Sequence, residues 1–330
     1  PLLRLPRHTD GDELSIGRIP LRAILMHGLD EAVHFGHDFT ECVTEDDGTV
    51  RAHFANGHVE RADLLVGADG VHSRVTAALA GRPTARRLDV DGLAGRTPIT
   101  EDLRHLMPDE LRTGPAFAIG PGGTAVFLSL HEPDTATVDP ADCTVVPARP
   151  EAAYLLWGAI TDSGGPAGRN SAQCHRAATE MFGAWARPLR ELIQAADRHT
   201  VGVFPYLTSD PDDLLPWAPG PVTALGDAIH AMPPTGGRGA ATAIRDADHL
   251  VDHLGRVDRS QATVPQAIAD YHRELAGYAP AAVRASLRPL TWRRYLRHPV
   301  AFDVARRGLP IADRLRNRRH SSAAYRRVHR

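Results

Sequence analysis

The sequence predicts an α/β fold in which a sheet-rich segment is inserted between two parts of a ligand-binding domain, with helices at the end. Short apolar strands at 64–66 and 222–225 each lead into a turn with glycine and aspartate and then into a helix. Between them, short β-prone runs separated by turns fill residues 88–206, which predicts the inserted antiparallel sheet. The 330 residues are enough for about two domains.

Composition argues against several classes of protein. Hydrophobic residues make up 42% of the chain, enough for a globular core, and the formal net charge of −2 gives no general attraction to nucleic acid or anionic membranes. No run approaches the ~18 apolar residues of an integral membrane helix, and no signal peptide is apparent, so a cytoplasmic protein is expected. The cysteine and histidine spacings predict reduced thiols and no metal site.

The first segment predicts a short helix that begins at Pro20, because proline is favoured in the first turn of a helix. Arg18 lies just before it, where a solvated arginine at a helix start is also a common pattern. Period-2 runs over residues 33–62 then predict a β-meander.

The meander leads to the first strand-turn-helix unit. Strand 64–66 is followed by a turn that contains Asp69 and Gly70, and a helix is predicted from about Ser73. Such a turn places backbone amides and a carboxylate together. An ordinary βα connection remains the alternative, because short glycine-containing patterns are common.

The second unit begins with strand 222–225. Gly226 lets a ligand approach the backbone, and Asp227 places a carboxylate at the carboxyl end of a strand, where open α/β sheets bind ligands. A hydrogen-bond acceptor at this position suits a polyol.

The loop that follows is rich in proline and glycine. Pro234 stiffens the connection, while Gly237 and Gly239 permit backbone angles and close approaches that other residues do not. A helix is predicted from about Ala240, and its unpaired N–H groups would face the loop. The segment therefore predicts a site for a flat or anionic ligand, with a structural βα connection as the alternative.

Three further helices are predicted, over residues 172–196, 266–278 and 281–296. From Arg284 to Arg330 there are 14 arginines and two acidic residues. Apolar residues interspersed with them predict helices that dock on the body and keep the arginines in water. Binding to nucleic acid or to an anionic membrane is the alternative, although no nucleic-acid-binding motif is present.

Both strand-turn-helix units resemble motifs of the class A flavoprotein monooxygenases, the para-hydroxybenzoate hydroxylase-like family. Residues 226–250 fit the pattern GDAxHxxxPxxGxGxNxxxxDAxxL, except that Ala241 replaces the asparagine. Residues 63–76 fit DxxxGADGxxSxVR, except that Thr76 replaces the arginine. Arg18, with the leucines at 21 and 25, resembles the RxxLxxxL element of the same family.

The resemblance implies an FAD-dependent monooxygenase that uses NAD(P)H and O2 to hydroxylate an aromatic or other electron-rich organic substrate. It implies that Asp227 binds the ribityl chain of FAD and that amides near Gly239 steady negative charge on the reduced flavin. The implied cofactor-binding residues are Arg18, Asp69, Gly70, Asp227, Pro234, Gly237, Gly239 and Ala240. No catalytic acid or base is assigned.

The resemblance also implies the domain boundaries. The family begins with a GxGxxG fingerprint that binds the ADP half of FAD, and this sequence contains none in a strand-turn-helix context, so we expect a member without its N-terminal Rossmann portion. Segments 1–87 and 207–258 would form a partial, Rossmann-like FAD-binding domain, 88–206 a β-sheet substrate domain, and 259–330 a C-terminal helical region.

In the family, the inserted sheet forms a wall of the substrate pocket. Its aromatic residues are therefore candidates either to line that pocket or to fill the core: Phe127, Tyr154, Trp157 and Phe204. The expected partners are a small organic substrate and O2, with neither nucleic acid nor an integral membrane. A related flavin oxidoreductase (a halogenase, epoxidase or reductase) and an inactive family member that acts as a binding module remain alternatives.

Overall fold

The structure is a computed structural model that describes residues 2–4, 17–112, 114–120, 124–132, 152–164, 170–298, 300–304 and 307. It contains both helices and sheets, which confirms the predicted α/β class. The chain forms two compact units. The first unit comprises residues 1–32, 90–204 and 291–330, and the second unit comprises residues 33–89 and 205–290. The predicted assignment of these segments to domains stays a proposal.

Eleven strands and nine helices are assigned within the described residues. The strands are β1 Leu2–Arg4, β2 Phe39–Thr44, β3 Val50–Phe54, β4 Val59–Ala62, β5 Leu65–Gly67, β6 Ala85–Pro98, β7 Ala116–Ile119, β8 Ala125–His131, β9 Tyr154–Asp162, β10 Gly202–Ser209 and β11 Val222–Ala224. The helices are α1 Arg18–Met26, α2 Arg74–Ala80, α3 Glu101–Arg104, α4 Asp109–Arg112, α5 Ser171–Met181, α6 Arg187–Gln194, α7 Asp227–His230, α8 Gly239–Asp258 and α9 Val264–Leu296.

A six-stranded sheet in the order β1-β7-β8-β9-β6-β10 contains the core strands of the first unit. The pairs β1–β7, β7–β8, β8–β9 and β9–β6 are antiparallel, as the short β-prone runs predict. Trp157 of β9 is fully buried and packs edge-on against Phe182, with ring centroids 6.3 Å apart. Of the two roles considered for Trp157, the structure therefore selects the core.

The helix predicted over residues 172–196 is wrong as a single element, because the chain forms α5 and α6 with a turn between them. Phe182 ends α5, and Gly183 and Trp185 continue in turns closed by backbone hydrogen bonds. Pro188 lies in the first turn of α6, where its missing N–H costs nothing. Both helices contribute buried residues to the core beneath the sheet, which satisfies the apolar spacing without a continuous helix.

Two small sheets lie in the second unit. The meander β2-β3-β4 is antiparallel, as predicted. Strands β5 and β11 form a separate parallel pair, in which Ala224 lies opposite Gly67. Tyr271 of α9 is fully buried, and its hydroxyl donates a hydrogen bond to the carbonyl of Ala224, 3.0 Å away. Helix α9 is thereby tied to the parallel pair that positions the candidate site.

The two helices predicted over 266–278 and 281–296 are one continuous helix, α9, which has Pro280 and Pro289 inside it. A proline inside a helix removes one hydrogen bond and normally breaks the helix. Here the buried face on either side of Pro280, which includes Leu275 and Val283, continues along the same core. We infer that packing outweighs the local preference to stop. Helix α1 likewise begins at Arg18, two residues before Pro20.

Buried His272 predicts a measurable loss of stability in acid. Its Nε2 lies 2.9 Å from Thr223 Oγ1, and burial lowers its pKa to about 4. Because the unfolded histidine binds a proton near pH 6.5 and the folded one does not, acid favours unfolding through this window. The free energy of unfolding should fall by about 2 kcal/mol between about pH 7.5 and about pH 5.

Denaturant unfolding at the two pH values measures this loss. His272→Gln keeps a polar partner for Thr223 but does not titrate, so its stability should depend less on pH by the same amount. Equal pH dependence in the two proteins would show that His272 does not cause the effect.

Candidate functional site

Two turns meet at the carboxyl ends of β5 and β11. The amide of Leu225 donates a hydrogen bond to the carbonyl of Gly67, 3.0 Å away, so the chains remain side by side where both strands end. A Cβ atom at Gly67 would lie 2.7 Å from Cβ of Val75, which explains why glycine is needed beneath α2. The structure therefore brings the two motif turns to one edge of a parallel pair, the position at which α/β sheets bind ligands.

The first turn contains Asp69 and Gly70. Asp69 Oδ2 accepts a hydrogen bond from the amide of Arg74, 2.8 Å away, at the start of α2. Gly70 has a φ angle of 79°, which glycine adopts without strain. Ser73, where the sequence predicts the helix start, is the N-cap residue of α2. Asp69 is thus engaged in shaping its own turn, and any contact that it makes with a cofactor stays a prediction.

The second turn presents a free carboxylate. Gly226 has φ 65° and ψ −143°, a conformation that is essentially restricted to glycine, and it directs the chain from β11 into α7. Asp227 is exposed, and within the part of the chain that the structure describes its side chain has no hydrogen-bond or ion-pair partner. A carboxylate that is exposed at a strand end and unpaired is able to accept hydrogen bonds from the hydroxyl groups of a polyol.

The loop between α7 and α8 is held from below. Pro234 opens a 3-10 turn, and the hydroxyl of Thr235 in that turn donates a hydrogen bond to the carbonyl of Ser286 on α9. A Cβ atom at Gly236 would lie 2.7 Å from Ser286 Oγ, so the loop packs closely on α9. Gly237 then turns the chain with a φ angle of 62°.

Helix α8 begins at Gly239, one residue before the predicted start, and no side chain caps its N-terminus. Ala240 is exposed in the first turn, where the backbone amides have no partners within the helix. A Cβ atom built on Gly239 would lie 3.7 Å from Asp227 Oδ1. The acceptor of Asp227 and the donors of the α8 N-terminus are therefore adjacent, and a side chain at residue 239 would crowd them.

Arg18 lies elsewhere in the chain. It is the first residue of α1 in the first unit, and it is exposed, whereas the other seven candidate residues lie in the second unit. Its predicted role beside the flavin stays a prediction.

Asp246 is the functional residue that sequence reasoning missed, since it entered only as a match to a pattern. It is fully buried on α8, where Oδ2 accepts hydrogen bonds from the amide of Gly226 at 2.8 Å and from His230 Nε2 at 2.6 Å. The available signal was its spacing. Asp246 lies between Thr242 and Leu250 on the stripe of α8 that faces the core, where a carboxylate requires a partner.

Two other kinds of site were sought among the described residues. No group of three histidine, cysteine, aspartate or glutamate side chains in the described ranges is arranged to hold a metal ion. No helix in those ranges is both long and apolar enough to cross a membrane. Cys42 and Cys174 are free thiols, and Cys143 lies outside the described residues.

Comparison with known proteins supports the geometry. Residues 210–286, which contain the second turn, Asp246 and most of α9, match the FAD binding domain family. The chain is related to the class A FAD-dependent monooxygenases. It is 30% identical over 209 residues to 6-hydroxynicotinate 3-monooxygenase from Bordetella bronchiseptica, an alignment that covers 63% of this chain and 48% of the relative. This family likeness confirms the resemblance inferred from the two motifs.

Two further relatives extend the comparison. Zeaxanthin epoxidase from Oryza sativa is 26% identical over 306 residues, covering 91% of this chain and 40% of the relative. The crystal structure of a protein assigned as an FAD-containing monooxygenase from Photorhabdus luminescens superimposes with a TM-score of 0.70 at 27% identity, covering 81% of this chain and 71% of that chain. The chain thus spans less than half the length of both curated relatives.

Proposed function

We propose that this protein is an FAD-dependent monooxygenase that uses NAD(P)H and O2 to hydroxylate an aromatic or other electron-rich organic substrate. The observation that carries the proposal is the meeting of the two motif turns at the ends of β5 and β11, with unpaired Asp227 beside the N-terminus of α8. FAD, when bound, would accept a hydride from NAD(P)H and activate O2 for transfer to the substrate.

The residues of the second unit fit this cofactor. Asp227 would accept hydrogen bonds from the ribityl hydroxyls, and the amides of Gly239 and Ala240 would steady negative charge on the reduced flavin. Gly237 and Pro234 would shape the loop around the ring, while Asp69 and Gly70 would form the second side of the site. We retain Arg18 as a proposed contact on the motif that it carries.

An aromatic substrate is supported by the sheet of the first unit. Phe127 and Tyr154 alternate along their strands with the buried residues Leu128 and Leu155, so they lie on the face opposite the core. The guanidinium of Arg96 lies 4.7 Å from the centre of the Tyr154 ring. A face with exposed rings and a positive charge suits a planar, electron-rich or anionic compound, and the relative named for 6-hydroxynicotinate acts on such a molecule.

We also propose a cytoplasmic protein that binds neither nucleic acid nor an integral membrane. Several described arginines near the C-terminus already pair with acids: Arg284 with Asp212, Arg293 and Arg297 with Asp162, and Arg307 with Asp303. These pairs support a solvated docking face. Binding to duplex DNA should then stay within the non-specific range of about 10⁻⁴–10⁻⁶ M and weaken with salt, whereas nanomolar, sequence-dependent binding would contradict the proposal.

The function is tested by reconstituting the purified protein with FAD. We expect a bound-flavin absorption spectrum, oxidation of NAD(P)H that accelerates with a panel of hydroxylated aromatic acids and phenols, and one atom of labelled oxygen from ¹⁸O2 in the product. Flavin binding without oxygen transfer would favour a reductase, and a protein that binds no flavin would favour a binding module.

Epoxidation is the second candidate, because zeaxanthin epoxidase is among the relatives. An isolated olefin in place of the aromatic panel separates the two reactions. An epoxide that carries the labelled atom, with no hydroxylated aromatic product, would replace hydroxylation by epoxidation.

A further inference from the structure

A second tyrosine reaches the buried carboxylate that holds the Gly226 turn. Asp246 Oδ1 accepts a hydrogen bond from the hydroxyl of Tyr278 on α9, 2.6 Å away, while Oδ2 serves Gly226 and His230. A buried carboxylate is tolerated only when it is well hydrogen-bonded. Three donors from three segments of the second unit therefore converge on Asp246.

The position of each donor depends on the others. His230 is fully buried, and within the described residues its Nδ1 has no partner, so Asp246 alone fixes the orientation of the ring. The Gly226 amide precedes Asp227 directly and lies between a strand and a helix, so its hydrogen bond to Asp246 is what sets the turn. A rotation of the Asp246 carboxylate would move the turn, and with it the side chain of Asp227.

Tyr278 is placed to prevent that rotation. Its ring lies beneath the guanidinium of Arg245, which is 4.0 Å from the ring centroid, and beside the ring of His249 at 5.6 Å. Burial, together with the hydrogen bond to Asp246, raises the pKa of Tyr278 well above its usual value, so the hydroxyl remains a donor at all working pH values. The ring is therefore held from the outer side and the hydroxyl from the inner side.

We propose that Tyr278 is a positioning residue for the cofactor turn, acting through Asp246 on the Gly226 amide and so on Asp227. The inference rests on the proposed function, because it assigns Tyr278 a part in FAD binding although the tyrosine lies behind the turn and touches Asp246 instead of Asp227. It predicts that the loss of one hydroxyl on α9 weakens cofactor binding at the carboxyl end of β11.

The chain supplies a matched control on the same helix. Tyr271 is also buried and also donates one hydrogen bond, but to the carbonyl of Ala224 and not to Asp246. Tyr278→Phe and Tyr271→Phe each delete one buried hydroxyl. If Tyr278 served stability alone, the two variants should lower Tm and affect FAD in the same way.

The test compares wild type, Tyr278→Phe and Tyr271→Phe by FAD titration, thermal unfolding of the flavin-free protein, and hydrogen exchange at the Gly226 amide. We expect Tyr278→Phe to raise the Kd for FAD by roughly three- to tenfold and to speed exchange at Gly226 by a similar factor, since a hydrogen bond to a charged group is lost. Tyr271→Phe should lower Tm comparably but change both other quantities less than about twofold.

Unchanged Gly226 exchange and FAD affinity in Tyr278→Phe would overturn the inference, as would equal changes in both variants. The exchange measurement needs no flavin, so it keeps the two proposals distinguishable. Faster Gly226 exchange in Tyr278→Phe alone supports the positioning role even in a protein that binds no FAD, a result that would sink the proposed function instead.

Discussion

Replacing Asp227 with alanine is expected to raise the dissociation constant for FAD by roughly ten- to a hundredfold, because a hydrogen bond to a charged group contributes about 1.5–3 kcal/mol. The carboxylate is exposed and unpaired within the described residues, so its removal frees no buried partner and should hardly change the stability of the flavin-free protein. Affinity and stability should therefore separate in this variant.

Quenching of flavin fluorescence measures the affinity, and Asp248→Ala is the control. Asp248 is another exposed aspartate, placed along α8 and away from its first turn. Its replacement removes the same charge from the second unit and should leave the Kd for FAD unchanged. Equal effects of the two substitutions would indicate a general charge effect, and unchanged affinity in Asp227→Ala would remove this residue from the site.

Gly226→Ala is expected to destabilise the protein by about 2–4 kcal/mol, combining a strained backbone conformation with a crowded contact. The φ angle of 65° with ψ −143° is one that a side chain resists, and a Cβ atom would lie 3.2 Å from Cβ of Ala243. Relief of that strain would shift Asp227 and break the hydrogen bond to Asp246. FAD affinity should therefore fall together with stability.

Denaturant unfolding, followed by FAD titration of the folded fraction, tests this expectation. Gly277→Ala is the control, because Gly277 is exposed within α9, has an ordinary φ angle and has open space around it. There, alanine should stabilise the helix by about 0.5–1 kcal/mol. A Gly226→Ala protein as stable as wild type would show that the turn tolerates a side chain.

Both turns of the candidate site could be predicted from the sequence, because their chemistry is local. Glycine at 226 and 237 supplies backbone angles that other residues avoid, and an aspartate after an apolar strand is visible without any knowledge of distant contacts. The inserted antiparallel sheet was predictable for the same reason, since its strands are short, β-prone and separated by turns.

The features that escaped prediction depend on contacts between distant segments. The continuity of α9 through Pro280 is decided by the core that its face covers, which no local preference reveals. Asp246 could be recognised as an anomaly on the buried stripe of α8, but its partners come from β11, α7 and α9. Sequence reasoning finds such a carboxylate, and only the fold shows what it holds.

The parallel pairing of β5 with β11 has a consequence for how the protein folds. It joins residue 65 to residue 222, so a very long loop must close before the two motif turns can meet. Such long-range pairings carry a large entropic cost and form slowly. We therefore expect the cofactor edge to assemble late and to open early, and FAD, by binding only the assembled form, to protect the chain against proteolysis in proportion to its concentration.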